Sequence, residues 1–303
     1  RTISTVANLI KIKMQSSKWT KETFRRLPVS KSATDAAATK MLDKFATEVY
    51  FSNPDLVPMI IIRNFQLTMK AGITEYSPPA ITTMGFIMAA LFGNYETAEM
   101  LGEVALEMLD RLDTRVSDGR TMNIVYGAIF PSSKLLRGFV DSAVHNTYRS
   151  AMTTGDVESA MFIALFGFEM SFISGERVDV LEQRASSNSK IMKDAQKKNF
   201  YDMTDMYWQV MLNLQDASEH TITISGANFD EAAIQLTTDE TRDKNELFLQ
   251  LTTLGAKLTL ACVFSQYQSG ADITIEKMDV VMKHFVGSCR RYLWGSFGGI
   301  CCY

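Results

Sequence analysis

Six prolines and three histidines in 303 residues are few, and each scarcity excludes something. With so few prolines, little interrupts long helices, and the abundance of Ala, Met, Leu, Glu and Lys favours them. His145, His220 and His284 stand far apart, and none lies in H-E-x-x-H or E-x-x-H, so no zinc-protease or di-iron pattern is written here. His145, beside Asn146 and Arg149, reads as a surface or satisfied histidine rather than a ligand. There is no G-x-x-x-x-G-K-[ST], and no G-x-G-x-x-G follows a strand-like run, so the backbone cradle a nucleotide needs is missing. No D-D-x-x-D cluster supports an isoprenoid enzyme, and Asp239, Glu240 and Asp243 read as a helix start. Cofactors, metal ligands and catalytic residues are therefore expected to be none. No apolar run approaches the roughly 20 residues of a membrane span, and no signal-peptide pattern opens the chain.

Cysteine is scarce too. Cys262, Cys289, Cys301 and Cys302 make no C-x-x-C pair, and two are adjacent, which suits reduced thiols in a cytoplasmic protein better than a disulfide framework. The net charge of −3 gives no global attraction to nucleic acid or an anionic membrane. Lys11, Lys13, Lys18, Lys21, Arg25 and Arg26, with Trp19 and Phe24 among them, form a local basic cluster. It reads as a solvated connector, with a nucleic-acid patch as the alternative.

What the chain has is helical periodicity. In FGNYETAEMLGEVALEMLDRL (92–112), Ala98, Leu101, Ala105, Met108 and Leu112 recur on one helical face. Glu96, Glu99, Glu103, Glu107 and Asp110 line the other, and read as a solvated stripe rather than a catalytic carboxylate pair. Gly93-Asn94 before it is a helix-to-helix corner. The spacing predicts helices over 1–16, 35–50 (with Ala38, Met41, Leu42, Phe45 and Val49 as the apolar face), 55–71, 79–92 and 94–112. Further helices are predicted over 115–130, 132–152, 157–173, 177–198, 202–215, 241–269 and 275–294. Gly72, Gly93, Pro131, Gly155 and Gly175 are the predicted hairpin corners, with within-hairpin corners at Gly93, Pro131 and Gly175. Met84, Met88, Met100, Met108, Met161 and Met170 fall at core spacing, where methionine fills gaps. Residues 220–233 are the clearest irregular segment. Gly226, Asn228, Phe229, Asp230 and Glu231 form a candidate interaction loop there, and Tyr201, Tyr207 and Trp208 are the aromatics of a candidate pocket.

The expected fold is all-α, with degenerate tetratricopeptide-like hairpin repeats stacked into a right-handed superhelix, an α-solenoid. Its divisions are N-terminal helices and an entering linker (1–52), hairpin repeats (53–200), further hairpins with an irregular loop at about 216–240 (201–295), and an atypical tail (296–303). The start at Arg1 reads as a cut from a longer chain, and FGGICCY as a truncated or misread terminus.

Residues 53–112 resemble the superhelical region of large multidomain signalling ATPases, which carry a serine/threonine-kinase-like domain, an AAA/STAND-type ATPase, often a GAF domain and a histidine kinase. The features carrying the likeness are Asn53-Pro54, Pro58, Arg63, Gly72, Ser77, Ala80, Gly85 and the FGNYETA corner. Gly127, Pro131, TGDVESA (154–160), SGE (174–176), YWQVMLNLQ (207–215) and GANFDEAA (226–233) continue it, over about residues 15–265. The kinase and ATPase motifs of that family are absent, so the resemblance implies a non-catalytic coupling or scaffolding module between nucleotide-binding and kinase output domains. Its partners would be proteins or flanking domains of the same polypeptide; no nucleic acid and no membrane insertion are expected, and whether a small-molecule ligand binds is left open. The alternatives are the helical sensor region of a STAND-type transcription regulator, or an all-α enzyme with a pocket near 201–233.

Overall fold

The computed structural model describes residues 2–53, 56–112, 114–138, 140–215, 221–234, 244–284 and 289–302. The fold is all-α: the described residues form fourteen α-helices and no strand beyond two isolated bridges. Contacts divide the chain into two compact units, Arg1–Ile163 and Ala164–Tyr303.

In the first unit, α1 (Thr2–Ser16) leads to α2 (Lys21–Arg25), a short helix inside the predicted connector. Thr20 caps it, accepting from the Thr23 amide while Thr23 returns the bond. Capping alone cannot hold five residues in a helix; packing does. Phe24 is fully buried, its ring 5.7 Å from Trp19 and 6.4 Å from Phe65. The connector then docks beside residue 73, with the Ser30 amide donating to Ile73 O and the Ile73 amide to Pro28 O, both at 2.8 Å.

Helix α3 (Ala33–Ser52) buries Val49 and packs Leu42 from the predicted face, but its inner face is turned away from Met41 and Phe45. Met41 and Phe45 are 72% and 54% exposed, whereas Thr39, Asp43, Ala46 and Val49 are buried. The reason lies in distant partners. The Thr39 hydroxyl bonds Thr74 at 2.7 Å and Asp43 pairs with Arg120 at 3.7 Å, so polar residues occupy the inner face.

The hairpin of α4 (Val57–Ala71), α5 (Ser77–Phe92) and α6 (Tyr95–Arg111) follows the sequence closely. Gly72 ends α4 at φ +95°, and the space a β-carbon would fill there holds the Pro28 carbonyl. Gly93 ends α5 in the left-handed conformation, φ +61°, and Asn94 caps α6 by accepting from the Thr97 amide. A β-carbon on Gly85 would lie 3.3 Å from Leu101 Cβ, so α5 and α6 run back antiparallel with their backbones close. Met84, Met88 and Met108 are buried here, as Met161 and Met170 are further on, and Met100 is partly so.

Pro131 is not a hairpin corner. The predicted helices over 115–130 and 132–152 are instead α7 (Asp118–Ile124), a π-turn at Val125–Ile129, 3-10 turns at Phe130–Ser132 and Leu136–Gly138, and α8 (Val140–Thr153). Pro131 sits in the first turn of a 3-10 segment, where its missing N–H costs nothing.

Helix α9 (Val157–Ile173) spans the boundary between the units. The second unit continues with α10 (Val178–Asp194), α11 (Lys198–Gln215), α12 (Lys244–Val263), α13 (Tyr267–His284) and α14 (Cys289–Cys302). The predicted helix 241–269 breaks at Ser265, and the predicted last helix 275–294 is two. Residues 296–302 continue α14 rather than standing apart as a tail. By length and composition alone the window Glu246–Val263 of α12 could cross a membrane. Its apolar side is used inside the unit, however, where Leu251, Leu258 and Leu260 are buried.

Four helices end in the same way. The residues at 155, 175, 196 and 265 take positive φ, and the next amide reaches back five residues to Ala151, Ser171, Met192 and Ala261. Two of these positions, Gln196 at φ 54° and Ser265 at φ 57°, are not glycine.

Candidate functional site

Helix α9 is apolar on every side except for a few positions, and one of them is Glu169, which is buried. A buried carboxylate needs a partner close enough to offset its lost hydration. Two helices supply one. From α11 the Tyr207 hydroxyl donates to Glu169 Oε1 at 2.6 Å. From α14 the Arg290 guanidinium donates to the same oxygen through Nε at 3.1 Å and through Nη2. Arg290 is itself buried, its charge centre 4.6 Å from the Phe248 ring centroid and 5.7 Å from that of Phe166.

These groups line one side of a cavity of about 50 Å³, room for only a few waters. Phe172, Val210, Ala256 and Trp294 make the rest of its wall mostly apolar. Gly255 on α12 lets the helices close: a β-carbon there would stand 2.6 Å from Trp294 Nε1. Burial, and then the Glu169 charge, push the Tyr207 hydroxyl well above its usual range. Tyr207 is thus a hydrogen-bond donor across physiological pH and is unsuited to act as a base. Because all three donors converge on Glu169 Oε1, the cluster ties α9, α11 and α14 together.

Of the aromatics expected at a pocket, Tyr207 lines the cavity and the other two do not. The Trp208 indole donates to Glu182 at 2.6 Å. Tyr201 lies under the ammonium groups of Lys193 and Lys198. The sequence reading missed Glu169 and Arg290; a lone acidic residue deep in an apolar helix was the signal that pointed to the first.

The loop at 221–234 is folded against the second unit. Asn213 donates to Thr221 O and Thr223 O, the Gly226 amide donates to Phe229 O at 2.8 Å, and Ser225 donates to Asp230. Glu231 accepts from the Ile224 amide and pairs with Lys257 at 2.7 Å, while Phe229 packs on the core and Asn228 is half-buried. Gly226, Asp230 and Glu231 are thus occupied in shaping the loop. His220, Asp239, Glu240 and Asp243 lie outside the described residues. Among the described residues no three of His, Cys, Asp and Glu gather closely enough to hold a metal ion.

In the first unit the acidic stripe of α6 and the basic cluster meet each other. Lys21 pairs with Glu103 at 2.7 Å, and Arg25 grips Glu107 with two bonds of 2.7 Å. Lys134 reaches Glu103 at 2.8 Å and Glu99 at 3.2 Å. Lys134, and then Lys21, hold the Glu103 carboxyl below its usual range, and Arg25 does the same for Glu107. Much of the stripe is therefore engaged rather than solvated, and Lys21 and Arg25 are committed to α6.

No known protein family, curated protein or solved structure matches this chain.

Proposed function

We propose that the chain is a non-catalytic helical-hairpin module that docks a protein surface and couples it to flanking domains. The observation that carries this reading is a pair of exposed apolar stripes in the first unit. Val6, Ile10 and Met14 on α1 recur every fourth residue and are exposed, as are Met41 and Phe45 on α3. Such stripes on helices whose opposite sides are packed are what a partner helix or domain needs. The corner spacing supports a repeat architecture. Gly72 and Gly93 lie 21 residues apart, and Gly155, Gly175 and Gln196 follow at 20 and 21. Two such helices repeat at roughly 41 residues, closer to HEAT-type repeats at about 40–47 than to tetratricopeptides at about 34. An α-solenoid of this kind transmits strain between neighbouring hairpins, which is the role implied by the resemblance to signalling ATPases.

The test compares the wild-type chain with a variant carrying Ile10→Glu, Met41→Glu and Phe45→Glu by proximity labelling in the source cell. A reproducible set of labelled proteins that the variant loses, with its helical content and thermal midpoint unchanged, supports docking. An identical set for both chains, or ATP hydrolysis or self-phosphorylation by the purified wild type, would sink it.

The small cavity under Glu169 favours a second reading, a helical sensor region that takes a small, largely apolar ligand. Filling that cavity should perturb Trp294 fluorescence, whereas docking on α1 and α3 should not.

A further inference from the structure

We propose that Cys262 and Cys301 form a thiol–disulfide exchange site that is oxidised by one class of acceptor, low-molecular-weight disulfides, and closes an α12–α14 cross-link. Both thiols are free, and their sulfurs stand 3.1 Å apart, one on α12 and one on α14. A disulfide needs about 2.05 Å, so the sulfurs have about 1 Å to close. The packing creates this approach. Gly270 on α13 lacks the β-carbon that would occupy the position of Cys301 Sγ, and so opens a slot for that sulfur beside Cys262. Cys262 Sγ also lies 3.4 Å from the Phe297 carbonyl oxygen, one turn from Cys301, so both ends of the pair are positioned.

The two thiols differ in access. Cys301 is buried and Cys262 is half-buried, so the incoming disulfide meets Cys262 first. The Cys262 thiolate attacks one sulfur of RSSR, forming a mixed disulfide and expelling RS⁻, which takes up the proton Cys262 gave up. Cys301, as thiolate, then attacks the Cys262 sulfur, the protein S–S bond forms, and the second RS⁻ leaves and is protonated by the proton from Cys301. Two protein thiols are oxidised and one RSSR is reduced to two RSH, so atoms and electrons balance. Burial and the neighbouring sulfur push the Cys262 thiol up to about 12, which makes exchange slow at neutral pH.

The test incubates the full chain with oxidised glutathione, quenches with acid, and maps the products by mass spectrometry under non-reducing conditions. The expected product has lost two hydrogens, retains no glutathione and yields a peptide linked through Cys262 and Cys301. Its thermal midpoint rises, and dithiothreitol returns it to the starting value. Cys262→Ser and Cys301→Ser each abolish the link, and Cys302→Ser leaves it. A stable glutathione adduct at Cys262 with no ring closure, a Cys301–Cys302 link, or no reaction of the folded wild type would each overturn the proposal.

Discussion

Gln196 and Ser265 hold the left-handed backbone that glycine holds at the equivalent positions 155 and 175. A side chain there crowds the following carbonyl, at about 1–2 kcal/mol, while glycine costs about 0.5–1 kcal/mol in chain entropy. Gln196→Gly and Ser265→Gly should each stabilise the protein by up to about 1 kcal/mol in urea titrations, and a loss would show that the side chains contribute more than their strain. Gly93 is the opposite case. Its φ of +61° faces open space, so only the backbone resists a side chain. Gly93→Val should cost on the order of 1–3 kcal/mol and Gly93→Asn much less, because asparagine tolerates this conformation. Asp43 shows how a buried charge responds to pH. Burial raises its pKa, and Arg120 and then Lys44 only partly offset the cost. The folded state thus binds the proton more tightly than the unfolded state. Stability from this group is full below the usual aspartate range and is lost as pH rises through the shifted value. Asp43→Asn should flatten that decline, and parallel pH profiles of the urea midpoint for both proteins would refute it.

Between elements, a buried polar tie joins α9, α11 and α14. Removing Arg290 leaves the Glu169 charge buried beside the Tyr207 hydroxyl without this guanidinium. Arg290→Met should cost about 3–5 kcal/mol, whereas Arg290→Met combined with Glu169→Leu should recover most of it. A double variant no better than the single would show that the pair does more than neutralise itself. The α2–α6 ion pairs behave differently because they face water. With Glu103 and Glu107 held below their usual range, the stability they give is present above the ordinary carboxylate pKa and is lost as pH falls through the lowered values. Glu103→Gln with Glu107→Gln should therefore weaken the acid dependence of unfolding as pH falls below the ordinary carboxylate range. Added salt should shrink the difference.

At the scale of the molecule, each unit closes its own core while the exposed apolar side chains of α1 and α3 stay outside the first. If those stripes serve a partner, they contribute little to folding. The Ile10→Glu, Met41→Glu, Phe45→Glu variant should stay within about 0.5 kcal/mol per site of the wild type. A larger loss would mean that the side chains are packed in solution.

The all-helical class, the Gly72, Gly93, Gly155 and Gly175 corners and the methionine-filled core followed from the sequence itself, because periodicity and turn chemistry act over a few neighbouring residues. Tyr207 was legible as an aromatic on a helix face; its partners were not. Glu169 and Arg290 are 121 residues apart, and Arg25 and Glu107 are 82 apart. Only the tertiary structure decided these pairings, the inner face of α3 and the meeting of Cys262 with Cys301. A polar side chain is buried or left in water according to which distant group arrives beside it, and hydropathy along one helix carries no record of that arrival. Corners without glycine at Gln196 and Ser265 were hidden for a related reason: packing on both sides holds a strained backbone that the local residues would not choose.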